Sequence, residues 1–180
     1  KEGGMAGSYL YKEQEARYDY IADVFDTLIV RDIRQKYKIR NTVLMDRIVD
    51  YMMDNISNQT SARNIAEALT NNKVHLEYVS ILSGNPQIPT LLDTFNISKD
   101  KINHKTVGKY IEYLCNAFAF YRFRRYDIHG KKYLSSNDKL YLSDHTFRYA
   151  KLGTKNLDTG RVLENIVAIE LLRRGYEVYV

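Results

Sequence analysis

The densest run of chemically capable side chains lies between Lys105 and Lys132. Lys105, Thr106 and Lys109 come first, then Arg122, Arg124 and Arg125, then His129, Lys131 and Lys132. Cationic groups at this density, interleaved with Tyr121, Phe123 and Tyr126, suit contact with a phosphate backbone. The charge is local. Residues 1–100 carry 12 Lys/Arg against 14 Asp/Glu, a net of −2; residues 101–139 carry 9 against 3, a net of +6; residues 140–180 carry 6 against 5, a net of +1. A basic excess confined to one stretch points to a polyanion more directly than the overall net charge of +5 does. The same residues also suit a solvated hairpin whose arginines discourage edge-to-edge pairing, or a charged protein-binding surface.

Other chemistries find less support. There is no Gly-rich phosphate loop of the form GxxxxGK[ST], and Gly3-Gly4 lacks both the lysine and a preceding strand. His75, His104, His129 and His145 show no metal-ligand spacing. With one cysteine, Cys115, a zinc site would need a cluster of carboxylates and histidines. A single cysteine also permits no intrachain disulfide, which fits a reducing cytoplasm. Asp144-His145 is a tempting pair, but neighbours on a strand point to opposite faces. The 16 tyrosines could stack on single-stranded bases or pack with their hydroxyls at the surface.

The elements that position the basic run follow from a change of period. Val107, Ile111, Leu114 and Phe118 recur at helical spacing, so a helix over 104–118 turns them inward. Lys105, Thr106, Lys109, Glu112 and Tyr113 then lie outward or at the edge. From Phe120 apolar and basic residues alternate, and His129-Gly130 reads as a two-residue turn between two basic strands. Arg122, Arg124 and Lys131 can share one face. Upstream, Tyr18, Ile21, Phe25, Leu28 and Asp32 step along a helix from about 9 to 38, with Ala22, Ile29 and Ile33 widening the stripe. A second helix starts at Asn41 as N-cap and runs to about 55 on Leu44, Ile48, Tyr51 and Met52. A third starts at Thr60 or Ser61 and turns Ala62, Ile65, Ala66 and Leu69 inward. Residues 73–103 hold both prolines, Pro86 and Pro89, and read as an insertion. Downstream come a short strand at 139–142, a loop, a helix over 161–174 stopped by Gly175, and a strand from Tyr176.

A helix followed by a basic hairpin is how a winged helix-turn-helix ends. The expected fold class is therefore mainly α with a small β-hairpin. A helical segment occupies 1–40, a winged helix-turn-helix 41–144, and the start of a truncated α/β domain 145–180. Composition agrees with a folded domain, at 44% hydrophobic and 27% charged residues. No apolar run approaches the roughly 20 residues of a membrane helix, and the N-terminus is no signal peptide. Lack of an initial methionine, together with the strand-like ending Tyr176–Val180, suggests a fragment of a longer cytoplasmic protein.

Several segments resemble the C-terminal half of bacterial and archaeal AAA-type ATPases. They are Asp19-Tyr20-Ile21 with Asp32-Ile33, Thr106-Val107 with Tyr110 through Leu114, Arg125 through Lys131, and Gly160 through Val178. The resemblance implies a winged-helix region followed by a domain like PD-(D/E)XK nucleases, with Glu164 at the position of an acidic residue on that domain's first helix. It places ATP and magnesium in a missing ATPase module of the parent and leaves this fragment without a cofactor. The resulting expectation is a non-catalytic DNA-binding module. The competing one is a protein-interaction module relaying ATPase state, and a homo-oligomer would cover the broad apolar face of helix 161–174.

Overall fold

The computed structural model describes residues 4–71, 102–127, 132–133, 137–153 and 158–180. Four helices begin where a short polar side chain takes up a free amide donor. Asn41 Oδ1 accepts from the Leu44 N–H at 2.9 Å, and Ser61 Oγ accepts from Asn64 at 3.2 Å. Asn103 Oδ1 accepts from Lys105 at 2.9 Å, and Asp158 Oδ1 from Arg161 at 3.2 Å. Each cap satisfies a donor that a helix cannot pair internally.

A 3-10 turn at Ala6–Leu10 precedes α1, a continuous rod that is α-helical over Gln14–Val24, π-helical over Phe25–Arg31 and α-helical again over Asp32–Lys36. Then come α2 (Thr42–Asp54), β1 (Gln59–Thr60), α3 (Ala62–Thr70) and α4 (His104–Asn116). The strands β2 (Phe120–Phe123), β3 (Tyr126–Asp127), β4 (Lys132–Tyr133) and β5 (Asp138–Leu142) follow, and α5 (Thr146–Leu152) and α6 (Thr159–Arg173) come last. The chain is mainly helical with a small antiparallel sheet in the order β1-β5-β2. Phe120 pairs with Leu142 and Arg122 with Leu140, while Gln59 pairs with Lys139. β3 and β4 form a separate two-stranded ribbon, Tyr126 opposite Tyr133.

The core lies between the helices and the inner face of the sheet. Ile21 and Phe25 of α1, Met45, Ile48 and Met52 of α2, Ile65 of α3, Val107 and Leu114 of α4, and Phe120 and Leu142 of the sheet are all buried in it. The π turn changes which residues of α1 reach that core. Phe25 and Val30, five apart, are both buried, because a π turn bonds i to i+5 and slips the apolar stripe by one position. Leu28, counted into the stripe at three and four, lies outside the described side chains.

Other expectations need correction. Ser61 caps α3, while Thr60 belongs to β1. Phe118, expected inward, is 67% exposed and sits at φ 57° in the turn after α4. The helix ends at Asn116, and the left-handed residue swings the Phe118 ring away from the inward row. β3 and β4 pair on either side of His129-Gly130, as the expected hairpin requires, while β2 takes β5 as its partner, where Leu142 stands opposite Phe120. The His129-Gly130 turn and the insertion over 73–101 lie outside the described residues.

The C-terminal helix docks on the sheet. Asn165, 1% exposed, uses its amide like a strand: Oδ1 accepts from the Leu142 N–H at 2.7 Å and Nδ2 donates to the Leu142 carbonyl at 2.9 Å. Ser57 Oγ donates to the Arg161 carbonyl at 2.9 Å. At its far end Gly175 adopts φ 83°, which lets the Gly175 N–H reach Leu172 and the Tyr176 N–H reach Leu171. That double closure is a Schellman motif, and it needs a residue at ease with positive φ. Residues 176–180 carry no strand and lie against the existing sheet. The Val180 N–H donates to the Arg124 carbonyl at 3.2 Å, and Val178 and Val180 pack with Phe123, Tyr141 and Ala168. Replacing Asn165 with alanine should strand both Leu142 backbone groups and lower stability by about 2 kcal/mol. A urea midpoint unchanged from the parent's would show that the amide pairing contributes nothing.

Candidate nucleic-acid interface

α4 presents its polar face to solvent because Val107, Ile111 and Leu114 hold the opposite face in the core. Lys105, Lys109, Glu112 and Asn116 are exposed at spacings of four, three and four, which is one stripe of an α-helix. Thr106 is half-buried at its flank. Tyr113, expected at the edge of that face, is taken up by stacking on Tyr37 with ring centroids 3.8 Å apart and planes 6° apart.

The arginines separate into two groups. Arg124 and Arg125 are exposed between β2 and β3. Arg122 instead turns back along the sheet, with Nε 3.6 Å from Asp138 Oδ2. It also lies beside Cys115, whose thiol is pushed up by burial and pulled back in part by Arg122. Ser61, Glu112 and Asn137 line a cavity of about 230 Å³ around this pair. Arg122 is therefore partly engaged by Asp138, with 33% of its side chain still exposed. His129 and Lys131 lie outside the described residues, and of Lys132 only the backbone is described, as part of β4.

Glu164 is also committed. Its Oε1 accepts from Lys139 Nζ at 2.7 Å and from Tyr141 Oη at 2.6 Å. Burial pushes the carboxyl up, but Lys139 and Tyr141 outweigh it and hold Glu164 below the usual carboxylate range. Burial, with Glu164 beside it, raises the Tyr141 phenol. The group ties α6 to β5. Among the described residues no cluster of three His, Cys, Asp or Glu side chains could hold a metal. Asp144 and His145 sit at the start of α5, not on a strand. The Asp144 carboxylate accepts from the Thr146 N–H and hydroxyl at 2.9 and 2.7 Å and from the Gly4 N–H at 2.9 Å.

Sequence reasoning passed over a set of charges between α1, α2 and α5. Asp54 pairs with Arg148 at 3.1 Å and Asp26 with Lys151 at 2.8 Å, and Arg34 pairs with Asp46. Asp50 lies among them. The regular spacing of Asp46, Asp50 and Asp54 on α2 was the visible signal.

Comparison with known proteins gives the chain a family. It belongs to the one described as "Domain of unknown function (DUF8612)", which matches residues 2–158. A Haemophilus influenzae protein described as uncharacterized is 31% identical over 178 residues, covering 99% of this chain and 38% of that protein. The uncharacterized protein MJ1544 of Methanocaldococcus jannaschii is 24% identical over 176 residues, covering 98% of this chain and 33% of its own. The chain thus spans well under half the length of these relatives. No solved structure matches. These findings overturn the resemblance to AAA-type ATPases. The family that covers the chain is one of unknown function, and the descriptions of both relatives name neither an ATPase nor a nuclease. No helix among the described residues is long and apolar enough to cross a membrane.

Proposed function

We propose that this chain is a duplex-DNA-binding module, with α2, β1, α3, α4, β2 and β5 arranged as a winged helix-turn-helix. In this reading α4 is the recognition helix and the β3–β4 ribbon is the wing. The supporting observation is topological: helix, strand, helix, helix, then two strands that close as β1-β5-β2 with a ribbon between them. That order leaves α4 with a polar face bearing Lys105 and Lys109, and Arg124 and Arg125 are exposed just after β2. Helices of this kind lay their N-terminal residues against base edges while flanking cations hold phosphates. The reading calls for no cofactor and goes with a cytoplasmic location.

Binding should be strongly salt-dependent, because each neutralised phosphate releases counterions and adds about 0.9 to the slope of log affinity against log salt. Replacing Lys105, Lys109, Arg124 and Arg125 together with alanine should flatten that slope by up to about 3 to 4. Arg122→Ala alone should leave the slope nearly unchanged, because its charge faces Asp138. A parent chain that fails to shift a labelled duplex at low salt sinks the reading, and so does a quadruple variant with the parent's slope.

A second reading, a protein-interaction module, is favoured by one observation. On α6, Leu163 and Val167 are exposed at 56% and 57% beside the half-buried Leu171. That outward apolar row suits a protein partner or a second copy. If a second copy covers it, sedimentation of the parent should show concentration-dependent mass, and Val167→Glu should abolish it. A parent of constant monomer mass excludes the second copy.

A further inference from the structure

Glu112 is the one carboxylate on the exposed stripe of α4. Its neighbours along that stripe are Lys105, Lys109 and Asn116, and it lines the same cavity as the Arg122–Asp138 pair. A helix that held DNA by charge alone would gain nothing from an anion there. The carboxylate faces a backbone of the same sign and weakens every sequence-independent contact. An acceptor-only group on a groove-facing helix has one favourable use in the major groove, which is to take a hydrogen bond from an exocyclic amino group. Cytosine N4 is the donor that suits a single Glu or Asp.

The spacing makes this concrete. Lys109 and Glu112 are three residues apart, a rise of about 4.5 Å along the helix, which is little more than one base-pair step. A lysine suits the O6 and N7 acceptors of guanine, and the next position offers a donor to the carboxylate. We propose that Glu112 is a specificity-determining residue that selects a cytosine at the base pair next to the one Lys109 contacts. The proposal rests on the DNA-binding reading. It adds that this site discriminates sequence, where the basic residues alone would only attach the chain to any duplex. The carboxylate trades general affinity for the choice of one base.

The test is selection of binding sites from a random duplex pool, with parent, Glu112→Ala and Glu112→Gln run side by side. The side chain is exposed, so all three chains should keep the same helical circular dichroism. The parent is expected to enrich one position in cytosine. Glu112→Ala should lose that enrichment, with discrimination at the position falling about ten-fold, the size of one good base contact. Glu112→Gln should move the preference toward adenine, whose N6 and N7 suit a side-chain amide. Both variants should bind a scrambled duplex more tightly than the parent. A parent that binds no duplex removes the DNA-binding reading and the proposal together. A parent that binds but shows no base preference overturns the proposal and leaves the binding reading standing, as does Glu112→Ala with the parent's preference intact.

Discussion

Replacing Arg148 with alanine should destabilise the chain by about 3 to 5 kcal/mol, the usual cost of breaking a buried ion pair by removing one member. The Arg148 side chain is only 5% exposed, and Asp54, its partner at 3.1 Å, is 30% exposed. The pair joins α2 to α5 across 94 residues of sequence. A second guanidinium nitrogen lies 3.5 Å from the Gly153 carbonyl at the end of α5. Denaturant unfolding of Arg148→Ala, Asp54→Asn and an apolar double replacement, Arg148→Met with Asp54→Leu, separates two effects. The single changes should each cost several times more than the double change, because the double removes both charges together. If Arg148→Ala lowers the unfolding free energy by less than about 1 kcal/mol, water reaches the pair and it behaves as a surface ion pair.

The helices of the core were legible because their signals are local. Asn41 and Ser61 cap the helices they were expected to cap, and Gly175 stops α6 by the positive φ that only glycine adopts without cost. Val107, Ile111 and Leu114 fell inward as their spacing required. What local signals did not show was decided by contacts distant in sequence. Arg122 looked like a free cation on an alternating strand, and nothing near it shows that Asp138 would stand beside it. Glu164 sat where an apolar helix opens, but its partners, Lys139 and Tyr141, lie more than twenty residues earlier. Arg148 is read as a solvent residue by any local rule, because Asp54 is on another helix. Phe118 failed for a different reason. A period count cannot tell that the helix ends two residues before it. At the candidate interface the stripe of Lys105, Lys109 and Glu112 was readable from helical spacing alone. The withdrawal of Tyr113 beneath Tyr37 was not, because it needs the chain after α1 to come back across α4.

Asp50→Asn should stabilise the chain at neutral pH while leaving it unchanged in acid. Burial pushes the Asp50 carboxyl up from its ordinary value of 3.8 to about 6, with Lys151 of α5 pulling it back and Asp46 of α2 and Asp26 of α1 adding to the rise. Because the folded value is the higher one, the native chain binds this proton more tightly than the unfolded chain does. Stability from this group is then fully present below about pH 4 and is lost as pH rises through about 6. Above that the buried anion costs up to about 3 kcal/mol, from roughly two pH units at about 1.4 kcal/mol each. An asparagine holds the same shape without the charge. The difference in unfolding free energy between Asp50→Asn and the parent should therefore be near zero in acid, grow between about pH 4 and 6, and level off above. Comparing the two chains removes the opposite trend of Glu164 and Glu170, whose carboxyls are held down. Urea midpoints measured across that range would settle it. A variant less stable than the parent at neutral pH would mean that Lys151, bonded to Asp26, also gives Asp50 an attraction larger than the cost of its burial.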